Sequence, residues 1–230
     1  MKISIIIPCF NEEKTLSKIV EKVLKFKSFE KEIIIVDDCS IDNTANIISD
    51  LVLEFNEIKS IKHEKNYGKG AGIKSGVKIS TGDIILIQDA DLEYNPEDYD
   101  SLLEPFLKTD ADVVYGSRFL GGKYVRLSFF WHYVANKLLT TLCNTFTNLN
   151  MTDMETGYKL FKSRAIKSID LKEKSFGIEP EITVKLAKKK FNFYEVPISY
   201  SGRSYDEGKK IGLKDAFQAI YCIIRYRFFD

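Results

Sequence analysis

Short apolar, β-rich runs alternate with helical patterns along the first half of the chain, and this alternation limits the fold more than any other feature. After an apolar run at residues 3–7, Leu16, Ile19 and Val23 recur at helical spacing within residues 12–26. The pairing of strand and helix returns at 32–36 with 43–55, 58–62 with 70–79, and 83–87 with 96–107, before a fifth strand at 113–115. Strands joined through helices need crossover connections, so the pattern predicts an α/β fold with a mostly parallel, Rossmann-like sheet between helical layers.

The second half of the chain loses this regular alternation. The predicted elements are a helix at 129–146, a strand at 158–162, a helix at 180–188, a strand at 193–200 and a last helix at 209–229. We expect this part to add a mixed segment to the sheet. Because no linker composition separates the halves, residues 1–230 are predicted to form one domain. The last helix carries one apolar stripe, made of Leu213, Phe217, Ile220, Tyr221, Ile224 and Phe228.

Charge and cysteine content exclude several classes of protein. The 34 basic and 33 acidic residues give a net charge of +1, which provides no overall field for a nucleic-acid partner. The four cysteines lie far apart without metal-ligand spacing, so we expect four buried thiols in a reducing, cytoplasmic compartment; they are Cys9, Cys39, Cys143 and Cys222. No apolar run is long enough to span a bilayer, so we expect no membrane-crossing helix in this sequence.

Acidic residues follow three of the predicted strands, at 10–13, 37–40 and 89–93. Ligands of such sheets bind at the carboxyl ends of the strands, where these residues would meet. In an extended chain Asp89 and Asp91 point the same way, and Glu93 joins them if the extension persists. Their mutual repulsion favours a bound cation, and hard oxygen ligands suit Mg²⁺ or Mn²⁺. The alternative is an acidic turn that caps the helix at Pro96.

Four ordered motifs make the pattern specific: PCFNEE at 8–13, VDDCSIDNT at 36–44, NYGKG at 66–70 and DAD at 89–91. Together they resemble the inverting family 2 glycosyltransferases, whose nucleotide-diphospho-sugar transferase fold is called GT-A. The segments GSR at 116–118, DMETGYK at 153–159 and EVPI at 195–198 extend the likeness to the branch that glycosylates polyprenyl phosphates, typified by dolichol-phosphate mannosyltransferases. The resemblance covers nearly the whole chain.

The resemblance implies roles for individual residues. It makes 1–116 the nucleotide-sugar half, 117–208 the acceptor half and 209–230 a C-terminal amphipathic helix. It implies that Asp89, Asp91 and Glu93 hold Mg²⁺ or Mn²⁺ on the diphosphate, and that Arg118 and Arg126 bind the acceptor phosphate. Asp89, Asp91 and Arg118 are then the predicted catalytic residues. The implied nucleotide-sugar site comprises Pro8, Phe10, Glu12, Asp38, Asn66, Lys69, Gly70, Asp89, Ala90, Asp91, Arg203 and Lys209.

Two positions depart from the family pattern. Phe10 stands where relatives commonly have Tyr, which removes a hydroxyl group, and the wider spacing after Arg203 leaves open whether Lys209 or Lys210 serves the diphosphate. The expected reaction moves a sugar from a UDP- or GDP-sugar to a polyprenyl phosphate. A phosphate monoester is largely an anion at neutral pH, so this acceptor needs no general base.

Two other functions stay open at this point. The same chemistry on a saccharide or other hydroxyl acceptor would need a carboxylate base such as Asp153 or Glu155. A non-catalytic nucleotide-sugar-binding protein at a membrane surface would need the pocket but no turnover. Donor hydrolysis or sugar transfer would distinguish this non-catalytic protein from the two kinds of glycosyltransferase.

A lipid acceptor would favour a peripheral position on the membrane. Aromatic residues at 129–133 closely follow Arg126, and the last helix combines its apolar stripe with Lys209, Lys214 and Arg225. An apolar face edged with cations is typical of a helix that lies in the headgroup region. The alternative is that both segments pack on the core, and that Arg126 is an ordinary surface residue.

Overall fold

A computed structural model describes residues 1–126, 130–203 and 213–230. The strands are β1 (Lys2–Cys9), β2 (Glu30–Asp37), β3 (Ile58–Lys62), β4 (Ile84–Ile87), β5 (Val113–Ser117), β6 (Lys159–Lys162) and β7 (Phe193–Pro197). The helices are α1 (Leu16–Lys25), α2 (Thr44–Glu54), α3 (Lys69–Ile79), α4 (Tyr99–Lys108), α5 (Phe130–Thr147), α6 (Ser163–Ile166), α7 (Ile178–Lys188) and α8 (Leu213–Phe228).

The seven strands form one sheet in the order β3-β2-β1-β4-β6-β5-β7. Only β6, among the described strands, runs antiparallel to its neighbours, β4 and β5. The predicted α/β class with a mostly parallel, mixed sheet is therefore confirmed. Because β6 is reversed, its first residue, Lys159, pairs with Ile87 at the end of β4. The second half of the chain thus delivers residues to the same sheet edge as the acidic strand ends.

Alternate residues of the central strands pack into two separate cores. Ile3, Ile5 and Ile7 of β1 face a layer built on α1, α2 and α4, whereas Ile6 faces a layer that includes α3, α7 and α8. Both faces are covered, which explains why the central strands are continuous apolar runs instead of alternating with polar residues.

Several element boundaries differ from the sequence-based predictions. Helix α1 begins at Leu16 and not near Glu12, because residues 11–15 form a turn in which the Thr15 hydroxyl donates to the Glu12 carboxylate at 2.8 Å. The predicted helix at 96–107 begins as a 3-10 turn, Pro96–Asp98, and becomes α-helical at Tyr99. The short helix α6 was not predicted. Residues 209–212 of the predicted last helix lie outside the described residues.

Four residues of the apolar stripe on α8 are exposed. Phe217, Tyr221 and Phe228 are 72%, 58% and 60% exposed, and Ile224 is also exposed. The opposite face is buried instead, through Ala219, Cys222, Ile223 and Tyr226. Helix α8 is therefore apolar on two faces, only one of which the described residues cover.

The cysteine prediction needs one correction. Cys9, Cys143 and Cys222 are buried, but Cys39 lies in the loop after β2 and is partly exposed; all four are free thiols. Among the described residues, no helix is both long and apolar enough to cross a membrane.

A buried carboxylate connects several strands at the opposite edge of the sheet, where the parallel strands begin. Glu32 of β2 accepts hydrogen bonds from the Ser4 hydroxyl at 2.6 Å, the Lys59 ammonium at 2.9 Å and the Thr81 amide at 2.6 Å. Burial alone would raise the pKa of Glu32, but these hydrogen bonds lower it to about 2. One side chain thereby connects three strands and the turn before β4.

We expect Glu32 to make the stability of the protein pH-dependent. Its pKa is lower folded than unfolded, so its contribution is complete above about pH 4.5 and disappears as the pH falls toward about 2. The loss should be on the order of 3 kcal/mol in the free energy of unfolding. Urea unfolding of the wild type and Glu32→Gln between pH 6 and pH 2.5 measures it: the difference between the two should shrink as the pH falls. A constant difference would contradict this role.

Candidate active site at the carboxyl edge of the sheet

The central strand β1 lies between β2 and β4, so the connections from these strands leave in opposite directions. This arrangement opens a crevice at the carboxyl ends of the strands, which is where open α/β sheets bind ligands. The residues predicted from the motifs come to this edge from the ends of β1, β2, β4, β5 and β7 and from the start of α3.

The loops after β1 and β2 are clamped together. The Ile41 amide donates to the Asn11 side-chain oxygen at 2.9 Å, and the Asn11 amide donates to the Ser40 hydroxyl at 3.0 Å. Asn11 has a φ of 56°, a left-handed conformation that Asn adopts more readily than most residues. Phe10 and Glu12 are partly buried on the loop after β1, and Pro8 is partly buried near the end of β1 itself. This rigid frame forms one side of the crevice.

Asp38 holds the loop that follows β3. Its side chain is only 6% exposed and accepts hydrogen bonds from the Tyr67 amide at 2.9 Å and the Gly68 amide at 2.6 Å. The ring of His63 contacts the same carboxylate at 2.7 Å. The Asp38 oxygens are thus engaged within the protein, while Asn66 of the same loop is exposed.

Lys69, the first residue of α3, bridges two carboxylates. Its ammonium lies 2.8 Å from Asp89 and 3.1 Å from Glu179 of α7. Burial would lower the pKa of Lys69, but these two negative charges raise it, so the ammonium stays charged. Next to it, Gly70 is buried against the backbone of residues 173 and 174, where an added Cβ would lie 2.5 Å from a carbonyl oxygen.

A second cation engages the other acidic residues. The Arg203 guanidinium lies 2.6 Å from Asp91 and 3.1 Å from Glu93. Glu93 also accepts from the Tyr200 hydroxyl at 2.7 Å and from the Arg203 amide at 2.9 Å. These contacts fasten the segment after β7 onto the acidic loop.

The expected extended geometry at 89–93 is wrong. Residues 90–93 form a turn with Leu92 at a φ of 65°, so Asp89 and Asp91 do not converge by strand alternation. Their charges nevertheless act on each other: burial, together with the charges of Asp89 and Glu93, raises the pKa of Asp91 to about 7 against the opposing effect of Arg203. The predicted repulsion within the cluster is therefore present, and protein cations offset it.

The donor set of this loop fits a hard divalent cation. Asp89 and Asp91 are 18% and 15% exposed at their side chains, so both reach the crevice. Within the described residues, no three His, Cys, Asp or Glu side chains are arranged as a complete metal site. Two carboxylates are enough for Mg²⁺ or Mn²⁺, which take water and substrate phosphates as further ligands. All three carboxylates pair with protein cations here, Asp89 with Lys69 and both Asp91 and Glu93 with Arg203, and Glu93 also accepts from the Tyr200 hydroxyl.

Arg118, just after β5, is held by a buried carboxylate. Its Nε and Nη2 atoms donate to Asp153 at 2.6 and 2.7 Å, and its guanidinium lies 5.0 Å from the centre of the Tyr200 ring. Burial would raise the pKa of Asp153, but Arg118 lowers it. The Arg126 side chain is exposed, and its backbone amide donates to the Tyr200 carbonyl at 2.7 Å. Lys209 and Lys210 lie outside the described residues.

Sequence reasoning missed a buried polar layer beneath the site. Lys159, at the start of β6, is 1% exposed and donates to the carbonyls of Met154 and Thr156. Burial lowers the pKa of Lys159 to about 8 and raises that of Glu155 to about 8, where the charge of Glu179 adds to the effect. A lysine at the start of a strand, followed by two apolar residues, was the available signal. Its significance depended on the antiparallel pairing of β6, which the sequence pattern did not reveal.

Comparison with known proteins identifies the family. The sequence profile of the family "Glycosyl transferase family 2" matches residues 4–170, which is most of the chain. The chain therefore belongs to glycosyl transferase family 2, and it is a glycosyltransferase by family and fold.

Among similar proteins, the dolichol-phosphate mannosyltransferase of Pyrococcus furiosus is 28% identical over 98% of this chain, which spans only 63% of that relative's length. The UDP-N-acetylglucosamine–dolichyl-phosphate N-acetylglucosaminyltransferase of Methanococcus voltae is 29% identical over 96% of this chain and 94% of its own length. Glucosyl-3-phosphoglycerate synthase from Mycobacterium tuberculosis, crystallised with Mn²⁺, UDP and phosphoglyceric acid, superposes with a TM-score of 0.75 at 17% identity, covering 100% of this chain and 79% of that one. This last likeness confirms the GT-A fold.

Proposed function

We propose that this protein transfers a sugar from a UDP- or GDP-sugar to a polyprenyl phosphate, with inversion and with the help of Mg²⁺ or Mn²⁺. The observation that carries the proposal is the pairing of Asp89 and Asp91 with Lys69 and Arg203 at the mouth of the crevice. A cluster with both charge signs suits a metal diphosphate, since carboxylates bind the metal and cations bind phosphate oxygens. The dolichyl-phosphate relatives support the choice of acceptor.

On the donor side, Lys69 and Arg203 would change partners when the nucleotide-sugar binds. Lys69 and Arg203 neutralise the acidic pair in the free protein and would turn to the diphosphate once a metal occupies that pair. A bound metal would supply neutralisation of the leaving diphosphate. The frame of residues 8–12 and the loop held by Asp38 would enclose the base and ribose.

On the acceptor side, Arg118 is pre-oriented. Its bidentate pair with Asp153 uses two of the five N–H donors of the guanidinium, and the side chain is 14% exposed. The other donors suit the oxygens of a phosphate monoester. Arg126 would add a second, exposed cation to the path of the lipid phosphate.

A hydroxyl acceptor is the second candidate, and one observation favours a particular base for it. Burial raises the pKa of Glu155 to about 8, so its ionised form, which is the minor form at neutral pH, is a stronger base than Asp153, whose carboxylate pairs with Arg118. The two candidate functions therefore make different demands on Glu155 and Arg118.

We expect Asp91→Asn to lower transfer at least about 100-fold, because it removes charge where the diphosphate metal binds. Product mass spectrometry with Mn²⁺ or Mg²⁺, a panel of UDP- and GDP-sugars and a polyprenyl phosphate measures this. Asp100→Asn, an exposed aspartate on α4, is the matched control and should retain activity.

Two further variants separate the acceptors. Arg118→Ala combined with Asp153→Asn removes both charges of the buried pair and should abolish glycolipid formation, whereas Glu155→Gln should leave it largely intact. Transfer to a hydroxyl acceptor that the double variant retains and Glu155→Gln loses would instead support a hydroxyl acceptor. Nucleotide-sugar binding without transfer or donor hydrolysis under any condition would leave only the non-catalytic alternative.

We further propose that α5 and α8 rest on an anionic lipid surface. These helices pack together, with the rings of Phe146 and Phe228 at 5.6 Å. Each exposes apolar side chains, including Trp131 at 75% and Phe217 at 72%. Arg225 and Arg227 lie near the end of the same stripe. An exposed apolar face edged with cations complements anionic headgroups, and a lipid acceptor would approach along it.

Trp131 is the only tryptophan in the sequence, so its fluorescence reports directly on this face. We expect a blue shift and co-sedimentation when the protein is mixed with anionic vesicles at low salt, and little of either with neutral vesicles. Phe217→Ser should weaken co-sedimentation several-fold. Leu53→Ser, at an 85% exposed position on α2, is the matched control and should behave as wild type. Complete recovery in the supernatant with anionic vesicles would exclude this surface.

A further inference from the structure

A chain of short hydrogen bonds runs from the end of β2 to the middle of α3. The Nδ1 atom of His63 lies 2.7 Å from the Asp38 carboxylate, and its Nε2 atom lies 2.8 Å from the Ser75 hydroxyl. The carboxylate accepts, so Nδ1 donates, and Nε2 pairs with a hydroxyl that suits either role. The His63 side chain is 10% exposed. Both ring nitrogens are thus committed inside the protein.

The chain ends on the loop that leads to the donor site. Asp38 accepts from the amides of Tyr67 and Gly68 in addition to His63, so one carboxylate fixes the loop at three points. Gly68 has a φ of 97°, and an added Cβ there would lie 2.4 Å from the carbonyl oxygen of Lys174. The loop therefore enters α3 in one tightly packed conformation that places Lys69 beside Asp89.

The same residue types, Ser, His and Asp, occur in nucleophilic relays, but the location excludes that role. Ser75 lies in the middle of α3, where backbone amides are used by the helix and are not available to stabilise an oxyanion. The chain of hydrogen bonds from Asp38 through His63 to Ser75 instead connects the end of β2 with α3, and both of these elements contribute to the crevice. These contacts hold the two elements in place.

We propose that Asp38, His63 and Ser75 act together as positioning residues that fix loop 63–70 before the donor binds, so that Asn66 and Lys69 are presented to the nucleotide diphosphate in place. This inference rests on the proposed function for its substrate. Asp38 then holds the loop in addition to any contact that it makes with the nucleotide. Fixing the loop in advance reduces the ordering that binding must otherwise supply.

Two measurements on the full chain test this. We expect His63→Ala to weaken UDP or GDP binding in the presence of Mn²⁺ by about 10-fold in calorimetry, as expected for losing hydrogen bonds to a charged group. Hydrogen exchange of the free protein should rise within residues 63–70. At saturating donor, kcat should change less than about 2-fold, because transition-state contacts are retained.

Conservative variants separate positioning from general stability. In His63→Asn the side-chain amide can still donate to Asp38, so it should recover much of the binding. Ser75→Ala should give a smaller loss, and Ser49→Ala, which removes an exposed helical serine on α2, should give none. A loss of stability alone would raise hydrogen exchange throughout the chain.

The outcomes are distinct. If the wild type binds a nucleotide and His63→Ala binds it equally tightly, with unchanged exchange at 63–70, the inference is wrong. If the wild type binds no nucleotide, the proposed function fails, and exchange of the free protein still decides whether this chain of hydrogen bonds fixes the loop. Should His63→Ala not fold, Ser75→Ala provides the same comparison.

Discussion

Negative charge collected at one edge of the sheet is the constraint on which the rest of this structure depends. Asp89 and Asp91 follow a fully buried strand, so their charges lie beside an apolar interior and repel each other. The fold offsets this with cations from distant parts of the chain: Lys69 begins α3, and Arg203 is 112 residues from Asp91. In the function proposed here, a metal diphosphate would take the place of these protein cations beside Asp89 and Asp91.

The reversed strand β6 explains how the second half of the chain serves that site. It places Lys159 and the residues before it under the acidic loop, where an added Cβ on Gly157 would lie 2.3 Å from an Asp89 oxygen. Glu195 of β7 accepts from the amides of Thr152 and Asp153, which in turn orients Arg118. The proposed acceptor side is therefore built on the same sheet as the proposed donor side.

Most of the fold was predictable because periodicity records burial directly. Ile33 to Val36 are apolar throughout, and Ile3 to Ile7 are apolar except for Ser4, since both faces of their strands are covered. The acidic strand ends were predictable for the same reason, once the strands were placed. What the sequence did not reveal depends on long-range pairing. The Arg203 contact, the burial of Lys159 and the contacts of His63 all arise from neighbours distant in sequence. The turn at Leu92 also replaced the extended geometry that simple alternation predicted.

The proposed replacement of Arg203 by a metal at Asp91 can be tested without turnover. Electron paramagnetic resonance of Mn²⁺ titrated into the free protein should show tighter binding for Arg203→Ala than for wild type, because the guanidinium no longer competes for Asp91. With UDP or GDP present the order should reverse, since the diphosphate loses a partner. Arg164→Ala, which removes an exposed, ion-paired arginine at the other edge of the sheet, should leave both affinities unchanged. Equal Mn²⁺ affinity for Arg203→Ala and wild type in the free state would contradict the account.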